Sequence, residues 1–175
     1  MSQGIGHAAY AAELLPVLDE LATFGPAVLI GALLVEVEKA RAAIAIERPK
    51  ALEQSDRVLE AIRSYLRGQE GARDTYKAEA EKLGAQLGSF VDPGGDEEAI
   101  WQYEWACVNL SGAQDPEGAQ YVAHDLISFK AMWLEGYSRA DGRREQITCL
   151  QAVLEGERQK MRAGDDRDRI SLLAD

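Results

Sequence analysis

Proline and glycine punctuate this chain, and between the breaks the apolar residues recur at helical spacing rather than in strict alternation. The spacing predicts a first helix over 7–24, with Pro16 as the place where it would divide, because an interior proline removes a backbone hydrogen bond. Gly25-Pro26 then opens a long helix to about Arg48, with Pro26 at the first helical position, where a missing N–H costs nothing. Pro49 repeats that device and starts a helix through Arg67. Its Leu52, Leu59, Ile62 and Leu66 form one stripe opposite Glu53, Arg57 and Glu60. A weaker helix over 70–87 rests on Tyr76, Ala80, Leu83 and Leu87.

The second half reads the same way. Asp92-Pro93-Gly94-Gly95 is a turn, after which Asp96 takes the N-cap position with Glu97 and Glu98 in the first helical turn, for a helix to about Leu110. Asp115-Pro116-Glu117 opens the next helix, expected to reach Arg139 on a stripe of Ala119, Val122, Leu126, Phe129, Trp133 and Tyr137. Asp141-Gly142 begins the last, with Ile147, Leu150, Leu154 and Met161 facing inward. No segment alternates well enough to demand a sheet. The expected fold is therefore all-α: a compact, irregular single-domain bundle of six or seven helices over 1–164, followed by a charged C-terminal tail, 165–175.

At 175 residues such a domain buries a core without metal or disulfide staples. Cys107 and Cys149 lack metal-ligand or CxxC spacing and read as free thiols of a reducing compartment, which points to the cytoplasm. The longest uncharged stretch, 21–35, is broken by Gly25-Pro26 and falls short of a bilayer span. Net charge changes the picture more. It is −11, and eight of the thirty acids fall between Lys82 and Lys130, where no Lys or Arg occurs. They are Asp92, Asp96, Glu97, Glu98, Glu104, Asp115, Glu117 and Asp125, interleaved with Trp101, Tyr103, Trp105 and Tyr121. This balance argues against direct binding of nucleic acid, whose phosphates need cations, and against anionic membranes.

Candidate chemistry is sparse. Asp96, Glu97, Glu98, Asp115 and Glu117 sit at helix starts, where acids complement free N–H groups, so capping explains each of them singly but not the lack of bases around them. Glu104 and Glu157 interrupt apolar stripes, as do Arg41 and Lys130. Such intruders imply internal ion pairs, with Arg41 and Lys130 as the expected partners of the two acids. His124-Asp125 shares a dipeptide with HD-type phosphohydrolases, but His124 falls on a polar face and further ligands are missing. Glu53-Gln54-Ser55-Asp56 supplies only half of a paired carboxylate motif for magnesium. No cofactor is implied.

The expectation is a non-enzymatic, acidic binding protein that contacts a basic protein surface through Asp92, Asp96, Glu97, Glu98, Trp101, Trp105, Asp115, Glu117, Tyr121 and Asp125. For Trp101 and Trp105 a core position is the plainer alternative. An inhibitor of the immunity or antitoxin kind, or a phage-encoded one, acting on a nuclease-type toxin or a nucleic-acid-binding complex, has this physics. A homo-oligomeric accessory protein with tryptophans at self-interfaces is the alternative. The third possibility is a metal-dependent hydrolase built on Glu104, Glu157, Asp125 or His124.

Overall fold

The computed structural model describes residues 7–48, 52–88 and 94–172, with side chains from Ala8 as far as Gly164. Seven helices and no strand occur among them: α1 His7–Thr23, α2 Pro26–Glu47, α3 Glu53–Leu66, α4 Ala72–Leu87, α5 Gly95–Leu110, α6 Pro116–Trp133 and α7 Arg139–Leu172. The fold is an all-α bundle, as the periodicity requires. None of these helices is long and apolar enough to cross a membrane.

Local chemistry explains the helix ends, and several differ from expectation. Pro16 does not divide α1, which runs through it. Both Pro16 and Ala12 are exposed, so the carbonyl freed at Ala12 can face water while Leu14, Val17, Leu18 and Leu21 anchor the helix. α3 begins at Glu53, and the expected start at Pro49 lies outside the described residues. Asp96 is not a cap. Gly94 and Gly95 take positive φ (68° and 63°), the chain enters α5 at Gly95, and Asp96 already stands in the first turn. Asp115, in contrast, caps α6 by accepting the Gly118 N–H at 2.9 Å.

α6 stops at Trp133 instead of reaching Arg139. Leu134 is extended and Gly136 turns at φ 73°, which ends the helix and releases Tyr137 from its stripe. α7 then starts at Arg139, before Asp141, because Ser138 and Asp141 cap each other. Ser138 Oγ–H donates to Asp141 Oδ2 at 2.6 Å, and the Asp141 N–H donates back to Ser138 Oγ at 3.2 Å.

Packing sorts the helices into antiparallel pairs and one parallel one. α5 and α6 make the most extensive contact, and α3 packs on α4. α2 packs against both α5 and α6, while α1 lies beside α7. Tyr10 donates to Gln146 and Arg158 to Glu20, so α1 and α7 run parallel. The expected core positions Leu52, Leu59, Ile62, Leu126, Phe129, Leu150 and Leu154 are buried, whereas Leu66 and Trp133 pack partly buried at its edge. Met161 is exposed, contrary to the inward stripe: Arg158 is level with Glu20, and α1 ends three residues further on at Thr23. Cys107 is buried and Cys149 half-buried, both free.

Candidate functional site

The acidic stretch does not form one patch. Asn109 donates to Asp125 at 2.7 Å and Tyr103 meets the Phe129 ring at 6.2 Å, so α5 and α6 form an antiparallel hairpin. Asp96, Glu97 and Glu98 at the start of α5 therefore lie at the opposite end from Asp115 and Glu117 at the start of α6. At 1.5 Å per residue the two groups are roughly 27 Å apart. Asp92 lies outside the described residues.

The α5 end offers little that is free. Asp96 and Glu97 are exposed, but Arg48 from the end of α2 comes within 3.7 Å of Asp96, and Glu98 is half-buried. Trp101 and Trp105 pack against the core, edge to face with centroids 5.9 Å apart. Both indole N–H groups are buried without a hydrogen-bond partner among the described residues. These partly buried rings lie at the rim of the core.

The four intruding charges pair differently from expectation. Arg41 grips Asp56 at the start of α3 with two hydrogen bonds, 2.5 and 2.8 Å. Lys130 reaches Glu36 at 3.3 Å and Glu145 at 3.2 Å. Glu157 bonds Lys160, one turn along its own helix, at 2.5 Å. Glu104 has no ion-pair or hydrogen-bond partner among the described residues, and burial pushes its carboxyl up to about 7. Arg41 thus pairs with an acid of α3, and Lys130 with acids of α2 and α7. Glu104 instead shares the side of α5 on which Val108 lies against Gly84 of α4, and none of the bases the structure describes reaches it there.

Glu36 is the residue that sequence reasoning missed. It is 4 % exposed, bonded to Lys39 at 2.6 Å as well as to Lys130, and shares its side of α2 with the buried Leu29, Ala32, Leu33 and Ala40. That spacing was the available signal: a carboxylate three, four and seven residues from apolar positions. Around it, the Tyr137 hydroxyl donates to Glu145. Although burial works against it, this bond and Lys130 hold the Glu145 carboxyl below the ordinary carboxylate range. The network ties α2, α6 and α7 together.

The α6 end is different. Glu117 is exposed, Tyr121 is 59 % exposed, and His124 is exposed one turn further on. Asp125 is turned away into the hairpin, held by Asn109. Facing these side chains across a groove of about 550 Å³ are Tyr10, Ala11 and Leu14 of α1, with Gln120 completing the α6 wall. Tyr10 and Leu14 form a buried apolar floor. Two other grooves have walls of mixed or cancelled charge. One, between α3 and α4, includes Arg57 with Glu60, Glu70 and Glu79; the other, between α1 and α7, is closed by the Glu20–Arg158 pair.

Comparison with protein-family models, with curated proteins and with solved structures finds no match to this chain. Its site must be read from its own chemistry. Among the described residues no three His, Cys, Asp or Glu side chains converge to hold a metal ion. Asp125 is committed to Asn109 and Glu157 to Lys160, while His124 points outward, so the candidate hydrolytic residues are not assembled. What the structure does assemble is a wall of one carboxylate, an amide, a phenol and an imidazole over an apolar floor.

Proposed function

We propose that this protein is a non-enzymatic binding protein whose α6 face docks on a basic protein surface, acting as an inhibitor of the immunity, antitoxin or phage-encoded kind. The reading rests on one observation. The outward side of α6 carries Glu117 and Tyr121, while the helix's own base, Lys130, is 13 % exposed and pinned inward by Glu36 and Glu145. A surface that keeps a carboxylate out and draws its base in attracts cationic partners and repels anionic ones. A nuclease-type toxin or a nucleic-acid-binding complex presents such a surface. An acidic helix can cover it by matching the charge of the displaced phosphates.

The test begins with co-purification from the native host and identification of the bound protein by mass. Association rates of that partner are then compared for wild type, Glu117→Lys and the double variant Glu97→Lys/Glu98→Lys at low and high salt. Rim charges act mainly through steering, so Glu117→Lys should slow association about tenfold at low salt. The difference should shrink as salt screens exposed charge. Rates indifferent to all three substitutions would remove the reading.

A homo-oligomer is the second reading, favoured by α2 rather than by the tryptophans. Its exposed row of Val35, Ala42 and Ile46 is interrupted by a single charged side chain, Lys39. Val35 is 49 % and Ile46 84 % exposed. Exposed apolar side chains grouped on one face mark a contact surface, and a second copy meeting Val35, Ala42 and Ile46 would cover them. A solution mass that rises with concentration, and falls to the monomer in Val35→Glu, is the expected sign; a monomer at all concentrations excludes it.

A further inference from the structure

We infer that the groove between α1 and α6 is a subsite for an arginine side chain presented by the partner, an inference that rests on the binding reading above. Glu117 and Tyr121 are four residues apart on α6, so carboxylate and phenol ring stand one above the other on one side of the groove. A guanidinium placed there lies against the exposed ring face and forks onto the carboxylate. Both interactions suit arginine's planar, delocalised cation better than the compact ammonium of lysine. The aliphatic stem then rests on Leu14 and Ala11.

Charge complementarity selects this occupant. The groove is lined by one carboxylate, one imidazole, an amide, two phenols and apolar carbon, with no Lys or Arg. The Tyr10 hydroxyl is spent on Gln146 at 2.6 Å, which leaves the floor apolar and the open polar groups on α6. Arg143 sits 5.9 Å over the Tyr10 ring without lining the groove, so the chain already makes one guanidinium–tyrosine contact beside it. The Glu117 carboxylate makes no ion pair within the chain among the described residues, and its charge is available to a ligand. At about 550 Å³ the space takes one long side chain with the backbone on either side of it, and it is open enough for a partner to approach.

The probe is tetra-arginine, titrated into the isotopically labelled full chain and followed by amide chemical shifts, with tetra-citrulline as the uncharged match in shape. Shifts should centre on Ala11, Gln120, Tyr121 and His124, and tetra-citrulline should leave them unmoved. Tetra-lysine should bind more weakly. Glu117→Gln and Tyr121→Leu should each weaken tetra-arginine about tenfold, while Glu81→Gln, the same charge change on exposed α4, should not. Both test positions are exposed, so these variants keep the core intact. Shifts confined to Asp96–Glu98 would overturn the subsite while leaving the binding reading standing. So would equal binding by tetra-citrulline, or groove shifts that follow protein concentration without peptide, which would mark a second copy as the occupant. If tetra-arginine enters the groove but the native partner's association ignores charge, the subsite stands and the inhibitor reading falls.

Discussion

Glu36→Gln tests the interior charge network most directly. The substitution keeps the shape of the side chain and deletes a carboxylate that accepts from Lys39 at 2.6 Å and from Lys130 at 3.3 Å. At an effective dielectric constant near 20, the attraction across 3.3 Å is about 5 kcal/mol before desolvation is counted against it. Removing one member of a fully buried pair costs about 3–5 kcal/mol, because the survivor is left uncompensated. Here the survivor is not quite orphaned. Lys130 keeps the half-exposed Glu145 at 3.2 Å, and Lys39 can turn to water. The expected loss is therefore about 2–3 kcal/mol, which for a chain of this size lowers Tm by about 4–12 °C. Urea unfolding followed by helical ellipticity measures it, with an unchanged slope showing that compactness is preserved. Glu145→Gln should cost about 1 kcal/mol or less, since that carboxylate is half-exposed. The double variant Glu36→Gln/Lys130→Met should be less destabilised than the two single changes added, by about 1–3 kcal/mol. A Glu36→Gln loss under about 0.5 kcal/mol, with no coupling to Lys130, would show that the network contributes nothing that burial alone does not.

Glu104 should make the fold less stable as pH rises. Its folded carboxyl titrates near 7 against an ordinary value near 4.5, so the native state binds more protons between those values, and stability falls from about pH 4.5 to a plateau above 7. Glu104→Gln should abolish that slope and gain about 1–2 kcal/mol over wild type at pH 8 relative to pH 4, after discounting for partial exposure; parallel pH profiles would refute it. Asp115→Ala should cost about 1 kcal/mol by loss of the α6 cap. Gly118→Ala should cost more, about 3 kcal/mol, because its Cβ would fall 2.1 Å from the Gly112 carbonyl oxygen, and backbone rather than a side chain must move. Equal effects of the two in thermal melts would contradict that contact. Trp105→Phe should be nearly neutral, within about 1 kcal/mol, because along with the ring area it removes a buried N–H that has no partner among the described residues.

The residues within one turn of each other settled much of this protein. Gly25-Pro26 opens α2, Asp115 caps α6 and the leucine stripe of α3 faces inward because each depends on hydrogen bonds and periodicities three or four positions long. Even the misjudged start of α7 was written locally, in the reciprocal Ser138–Asp141 cap, and Gly136 marked the end of α6. Charge partners were not legible in the same way. Glu36 and Lys130 stand 94 positions apart and Glu20 and Arg158 stand 138 apart, distances across which no helical spacing speaks. Nor could composition reveal that the acids of one base-poor segment would be carried to opposite ends of a hairpin, or that Tyr121 and Glu117 would face α1 across a groove. Apolar burial drives the helices together without regard to which stripe meets which. The docking of α2 against α5 and α6, and of α1 beside α7, therefore decides which carboxylates are consumed by neighbouring cations and which remain on the surface. Those few leftover charges are the ones that can meet a partner, and only tertiary structure selects them.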